Sequence, residues 1–104
     1  MTYFYTHIVN VQSLHDALDN AGFTDYERKE LIIIAQDSLH HVLLDTILSR
    51  LAEEDKKVFL TNIHNEDHKA IWAHLKEKIE NVEDTITHTA ENFLAHLHYD
   101  IKRA

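Results

Sequence analysis

A chain of 104 residues with no proline, no cysteine and a single glycine has little turn material for a sheet and no disulfide framework. Its formal charge of −8, with no Lys/Arg cluster beyond the pairs Arg28-Lys29, Lys56-Lys57 and Lys102-Arg103, argues against a nucleic-acid-binding face. The length suits one helical domain over residues 1–104, able to bury a modest core but not an enclosed catalytic cleft beside it.

The first residues read two ways. Aromatic and β-branched side chains in TYFYTHIVNV favour a strand. Yet Phe4, Ile8, Val11, Leu14, Leu18 and Ala21 recur at helical spacing. With no partner strand elsewhere, the spacing predicts a helix over 11–21 and leaves residues 2–10 open between helix, strand and arm. Tyr3, Phe4 and Tyr5 either dock on a partner or cover the open side of a helix in their own chain, and the second is the simpler reading. Gly22 reads as the left-handed residue that ends the helix, with Phe23 folding back onto its last turn.

Thr24-Asp25-Tyr26-Glu27 matches a capping box, with Thr as N-cap and Glu three residues on. The helix it starts, over about 25–52, carries the most apolar stretch of the chain, LIIIAQDSLHHVLLDTILSRL. At about 100° per residue its apolar arc is roughly 240° wide, whereas a surface helix needs little more than ~100°. Leu31, Ile32, Ala35, Leu39, Val42 and Leu43 fall on one side, and Ile33, Leu44, Leu48 and Leu51 on another. Only the wedge of Ser38, His41, Asp45 and Ser49 reads as wet. A helix apolar on two sides needs two covers, from its own chain or from a second one.

Glu53-Glu54-Asp55 places carboxylates at the start of a third helix, where the dipole favours them. Phe59, Leu60 and Ile63 give that helix one apolar edge. Asn65 is the expected N-cap of a fourth, whose stripe is Ile71, Trp72, Leu75 and Ile79, with His68 projecting into it. Asn81 with Asp84 marks the start of the last helix. Its seam is Val82, Ile86, Ala90, Phe93, Leu94, Leu97 and Ile101, with Asp84, His88, Glu91 and His98 on the wet side. Lys102-Arg103 suits a helix C-terminus. The fold class that follows is all-α, a compact bundle of four to five helices around the central apolar helix.

From Gly22 onward the chain resembles a family of small bacterial helical proteins of unknown function. The likeness rests on the capped helix from Thr24-Glu27 to Ile47-Leu48-Ser49-Arg50-Leu51, the acidic turn before Phe59, Lys76-Glu77-Lys78-Ile79, and the acidic helix 80–101. It covers about three quarters of the chain, on packing and capping motifs alone. The chain departs from the family at Glu80, where the family has proline, and in its wealth of histidine. The resemblance implies a helical fold and supplies no activity.

No catalytic template is present: no Gly-rich phosphate loop, GxSxG, HExxH or zinc-knuckle spacing. Ser13, Ser38 and Ser49 sit at helical positions with no turn to expose a nucleophile. The ten histidines raise metal binding. His64 and His68 are spaced i, i+4 with Glu66 and Asp67 between them, but a helix start at Asn65 would make them diverge, and a third ligand is needed. Asp37/His41 and Asp84/His88 read as ordinary solvated pairs. A second use of histidine is pH sensing, were His68 held partly buried and neutral.

Residues 1–11 lack a basic n-region, no stretch reaches the ~18 apolar residues of a membrane span, and the absence of cysteine suits a reducing compartment. The sequence therefore reads as a cytoplasmic, non-catalytic interaction module without cofactor. Its expected partner is protein, foremost a second copy in a homodimer, bound through Ile33, Leu44 and Leu48. The competing reading is a metal- or cofactor-binding bundle that uses its histidines.

Overall fold

The described residues form five helices: α1 (Gln12–Asn20), α2 (Asp25–Ser49), α3 (Glu53–His64), α4 (His68–Lys78) and α5 (Val82–Arg103). The computed structural model describes residues 3–9 and 12–103, apart from the side chains at positions 13, 14, 98 and 101–103, and among the described residues there is no strand. The fold class is all-α, as the sequence implies. The parts expected of Val11, Leu14, His98, Ile101 and the Lys102-Arg103 side chains lie outside the described residues. The bundle is elongated, 46 × 23 × 21 Å, and not compact as expected, because α2 and α5 are long helices packed against each other.

Local signals set most boundaries. Gly22 has φ +81°, the left-handed conformation that stops α1, and Phe23 packs back beside Leu18. Thr24 Oγ1 accepts from the Glu27 backbone N–H at 3.2 Å, and the Glu27 carboxylate accepts from the Thr24 N–H at 3.1 Å. These two bonds hold the Glu27 carboxyl below the usual carboxylate range. Thr24→Ala should destabilise the protein by ~1 kcal/mol; an unchanged urea midpoint would show that this box does not hold α2.

Two boundaries differ from the sequence reading. α2 ends at Ser49, where Arg50 caps it through its N–H to the Ile47 carbonyl, and the chain turns so that Leu51 is buried. Asn65 is not the N-cap of α4 but the C-cap of α3. Glu66 then reverses the chain at φ 54°, and Asp67 caps α4, accepting from the Ala70 N–H at 3.1 Å. An anionic N-cap satisfies a free amide and also complements the helix dipole, so Asp67 is the stronger cap. Asn81 does precede α5, at φ 55°, a conformation Asn tolerates, and its carbonyl accepts from the Thr85 N–H.

The core has two parts. The main cluster joins Leu39, Leu43 and Ile47 of α2, Phe59 of α3, Ile71 and Leu75 of α4, and Val82, Ile86 and Ala90 of α5. Phe4, Tyr5 and Val9 of the N-terminal segment are buried in it too. The smaller cluster joins Leu18 of α1, Ala35 of α2 and Leu94 of α5, with Phe23, Leu31, Ile32 and Leu97 against it. Leu60, expected on the inner edge of α3, is exposed, because it lies ~100° round the helix from the buried Phe59.

The open question at residues 2–10 is answered for 3–9. They form a succession of turns, with Thr6 N–H to the Tyr3 carbonyl and Ile8 and Val9 N–H to the Tyr5 carbonyl. The aromatic residues cover the chain's own core.

Candidate interaction surface

The buried residues of α2 are Ala35, Leu39, Leu43 and Ile47, a single i, i+4 row. Such a row drifts slowly round the helix and leaves the rest of the apolar arc only partly covered. Ile33 is 63% exposed, Ile34 59% and Tyr26 74%, with Val42 also at the surface. The expected covering on two sides is thus not achieved within the chain. Glu30 and Asp37, both exposed, lie one turn before and after the two isoleucines on this face. Of the expected wet positions His41, Asp45 and Ser49 are exposed and Ser38 is half-buried, and His41 sits 3.7 Å from Asp37 in a solvated pair.

The three residues expected to bind a partner separate here. Ile33 stands free. Leu44 and Leu48 are half-buried and packed against the main cluster, so most of their apolar surface is used within the chain. Sequence spacing puts all three near one side of α2, but the other helices cover only its C-terminal half there.

α2 also corrects the expectation that no stretch is apolar enough to span a membrane. Less than a quarter of its most apolar stretch is buried. By length and composition alone the helix is long and apolar enough, because its Leu and Ile outweigh the scattered Gln36, Asp37, His40, His41 and Asp45.

Next to this surface the N-terminal segment meets α2 through rings. Tyr5, 3% exposed, places its hydroxyl 2.8 Å from His40 Nδ1. Tyr3 stacks on the His40 imidazole at 4.3 Å between centroids and on Tyr5 at 5.3 Å. Burial, with the neighbouring His41, holds the His40 pKa below histidine's ordinary value, although Asp37 pulls it the other way. Burial and the adjacent Tyr3 push the Tyr5 phenol up. The segment's other side is fixed to α4: Trp72 Nε1–H donates to the Phe4 carbonyl at 2.8 Å, and Phe4 meets Trp72 and Phe59 edge-on. A cleft of about 430 Å³ lies beside Tyr3 and Tyr5, with His7, His15 and Gln36 among its walls.

Among the described residues the remaining histidines do not converge on one site. His64 ends α3 and His68 begins α4, so their i, i+4 spacing does not place them on one helix face. His88 lies 3.9 Å from Glu91 in an exposed pair. His74 Nε2 is 3.2 Å from Asp55 Oδ1, tying α4 to α3, and its buried Nδ1 has no hydrogen-bond partner among the described residues. No three His, Asp or Glu side chains among the described residues form a group able to hold a metal.

An all-α bundle with an exposed apolar patch on its longest helix is the class of protein these observations define. No family model matches the chain, and no curated protein or solved structure is significantly similar to it.

Proposed function

We propose that this chain is a non-catalytic helical interaction module of the cytoplasm that associates with a second copy through the exposed face of α2. The observation that carries the reading is the adjacent exposure of Ile33 and Ile34 in the most apolar stretch of the sequence. Exposed contiguous apolar surface rimmed by polar residues is what association covers. Tyr26 supplies an aromatic anchor, and Glu30, Asp37 and His41 supply the rim. Leu44 and Leu48 support the surface from below by fixing α2 to the core.

The test is the mass of the protein in solution. The wild type should be a dimer by light scattering. Each buried isoleucine is worth ~1.5–3 kcal/mol, so Ile33→Asp combined with Ile34→Asp should weaken association by about a hundredfold or more. Both side chains already face water in the single chain, so the helical circular dichroism should be unchanged. A wild type that stays monomeric from micromolar to millimolar concentration would sink the proposal.

A further inference from the structure

We propose that residues 3–9 form a pH-sensitive latch, docked on α2 while the neutral His40 imidazole accepts the Tyr5 hydroxyl hydrogen and loosened when that imidazole gains a proton. The geometry is a buried phenol 2.8 Å from Nδ1, with a second tyrosine ring lying over the imidazole at 4.3 Å. With the neutral ring's proton on Nε2, Nδ1 accepts and Tyr5 is the donor. Protonation turns Nδ1 into a donor. The phenol oxygen can then accept from it, but the phenol's own hydrogen loses its acceptor at a part-buried site, where an unpaired hydroxyl is costly.

The titratable groups facing His40 are Tyr3 and Tyr5 from the segment and Asp37 and His41 from α2 itself. His7 and His15 line the cleft beside the tyrosines, and His7 also meets the Trp72 ring edge-on at 5.2 Å. Asp37 and the Tyr3 ring face both favour the cation. Burial and His41 oppose it and prevail. The folded state therefore favours neutral His40, and docking is complete above histidine's ordinary value of ~6.5. It is lost progressively as pH falls from there toward the lower folded value.

His40 lies seven residues from Ile33 and shares its side of α2, so release of the segment would enlarge the apolar surface next to the exposed isoleucines. The latch does not depend on self-association. It can be read on the full-length Ile33→Asp/Ile34→Asp variant, so a failed dimer and a failed latch are distinguishable.

Trp72 is the single tryptophan, and its indole N–H is bonded to the segment at the Phe4 carbonyl, so the indole NMR resonance reports docking. Between pH 8 and 5 that resonance should shift in step with the His40 ring protons. Indole exchange with solvent should accelerate by about tenfold, the scale an unpaired buried hydroxyl sets. His40→Asn retains an acceptor near Nδ1 without a titratable proton, and in it the transition should vanish. Tyr5→Phe removes the donor, and the His40 midpoint should rise toward histidine's ordinary value. An indole resonance that does not move, or a transition that persists in His40→Asn, as titration of the adjacent His7 would give, overturns the latch. Should His40→Asn not fold, an unmoved His40 midpoint in Tyr5→Phe overturns it equally.

Discussion

Phe59→Ala should cost the protein about 3–5 kcal/mol, the usual loss when a large buried ring is cut to a methyl. The whole stability of a domain this size is ~5–15 kcal/mol, so the variant should be only marginally folded. Phe59 is fully buried in the main cluster, which draws on four helices and on Phe4, Tyr5 and Val9 of the N-terminal segment. Phe4 meets its ring edge-on at 6.0 Å. The void left by truncation would be walled by several elements that cannot all move in, and incomplete collapse is what makes such a cavity expensive. Urea unfolding followed by circular dichroism measures the cost. A loss below ~1 kcal/mol would mean that the site closes on itself and that Phe59 is not the centre of the core.

Leu18→Ala should be comparably severe, ~2.7–5 kcal/mol, but its effect should be confined to α1. Leu18 is buried in the smaller cluster, against Ala35 of α2 and Leu94 of α5. α1 has nine residues, too few to be stable as an isolated helix. Deprived of its anchor, it should open alone while the main cluster stays closed, since stability is not uniform across a fold. Hydrogen exchange of the α1 amides should then rise by about a hundredfold or more, with little change in α3, α4 and the first half of α5. Equal acceleration in all five helices would show instead that the two clusters unfold as one.

Both substitutions act on residues whose burial follows from simple spacing. Leu18 stands on the stripe of α1, and Phe59 is the one aromatic residue of α3. The capping box at Thr24 and the stop at Gly22 are equally local, and they lie where the sequence places them. The start of α4 was harder to read, because Asn65 and Asp67 are both good caps two residues apart. The choice between them depends on Glu66 adopting a left-handed backbone, which residue type alone does not announce.

The interaction surface was half legible. The sequence by itself determined an all-helical chain and a central helix more apolar than one face requires, since hydropathy and periodicity are properties of the chain alone. Which part of that excess remains bare was decided only by tertiary packing. Ile33, Leu44 and Leu48 lie toward the same side of α2, and nothing in their spacing distinguishes them. The clusters around its C-terminal half take up Leu44 and Leu48 and leave Ile33 and Ile34 in water. Likewise His40 has no sequence signal that sets it apart from His41 beside it. Tyr3 and Tyr5, some 35 residues earlier, reach one ring and not the other, and a helix that turns ~100° per residue sends the two neighbours to different surroundings.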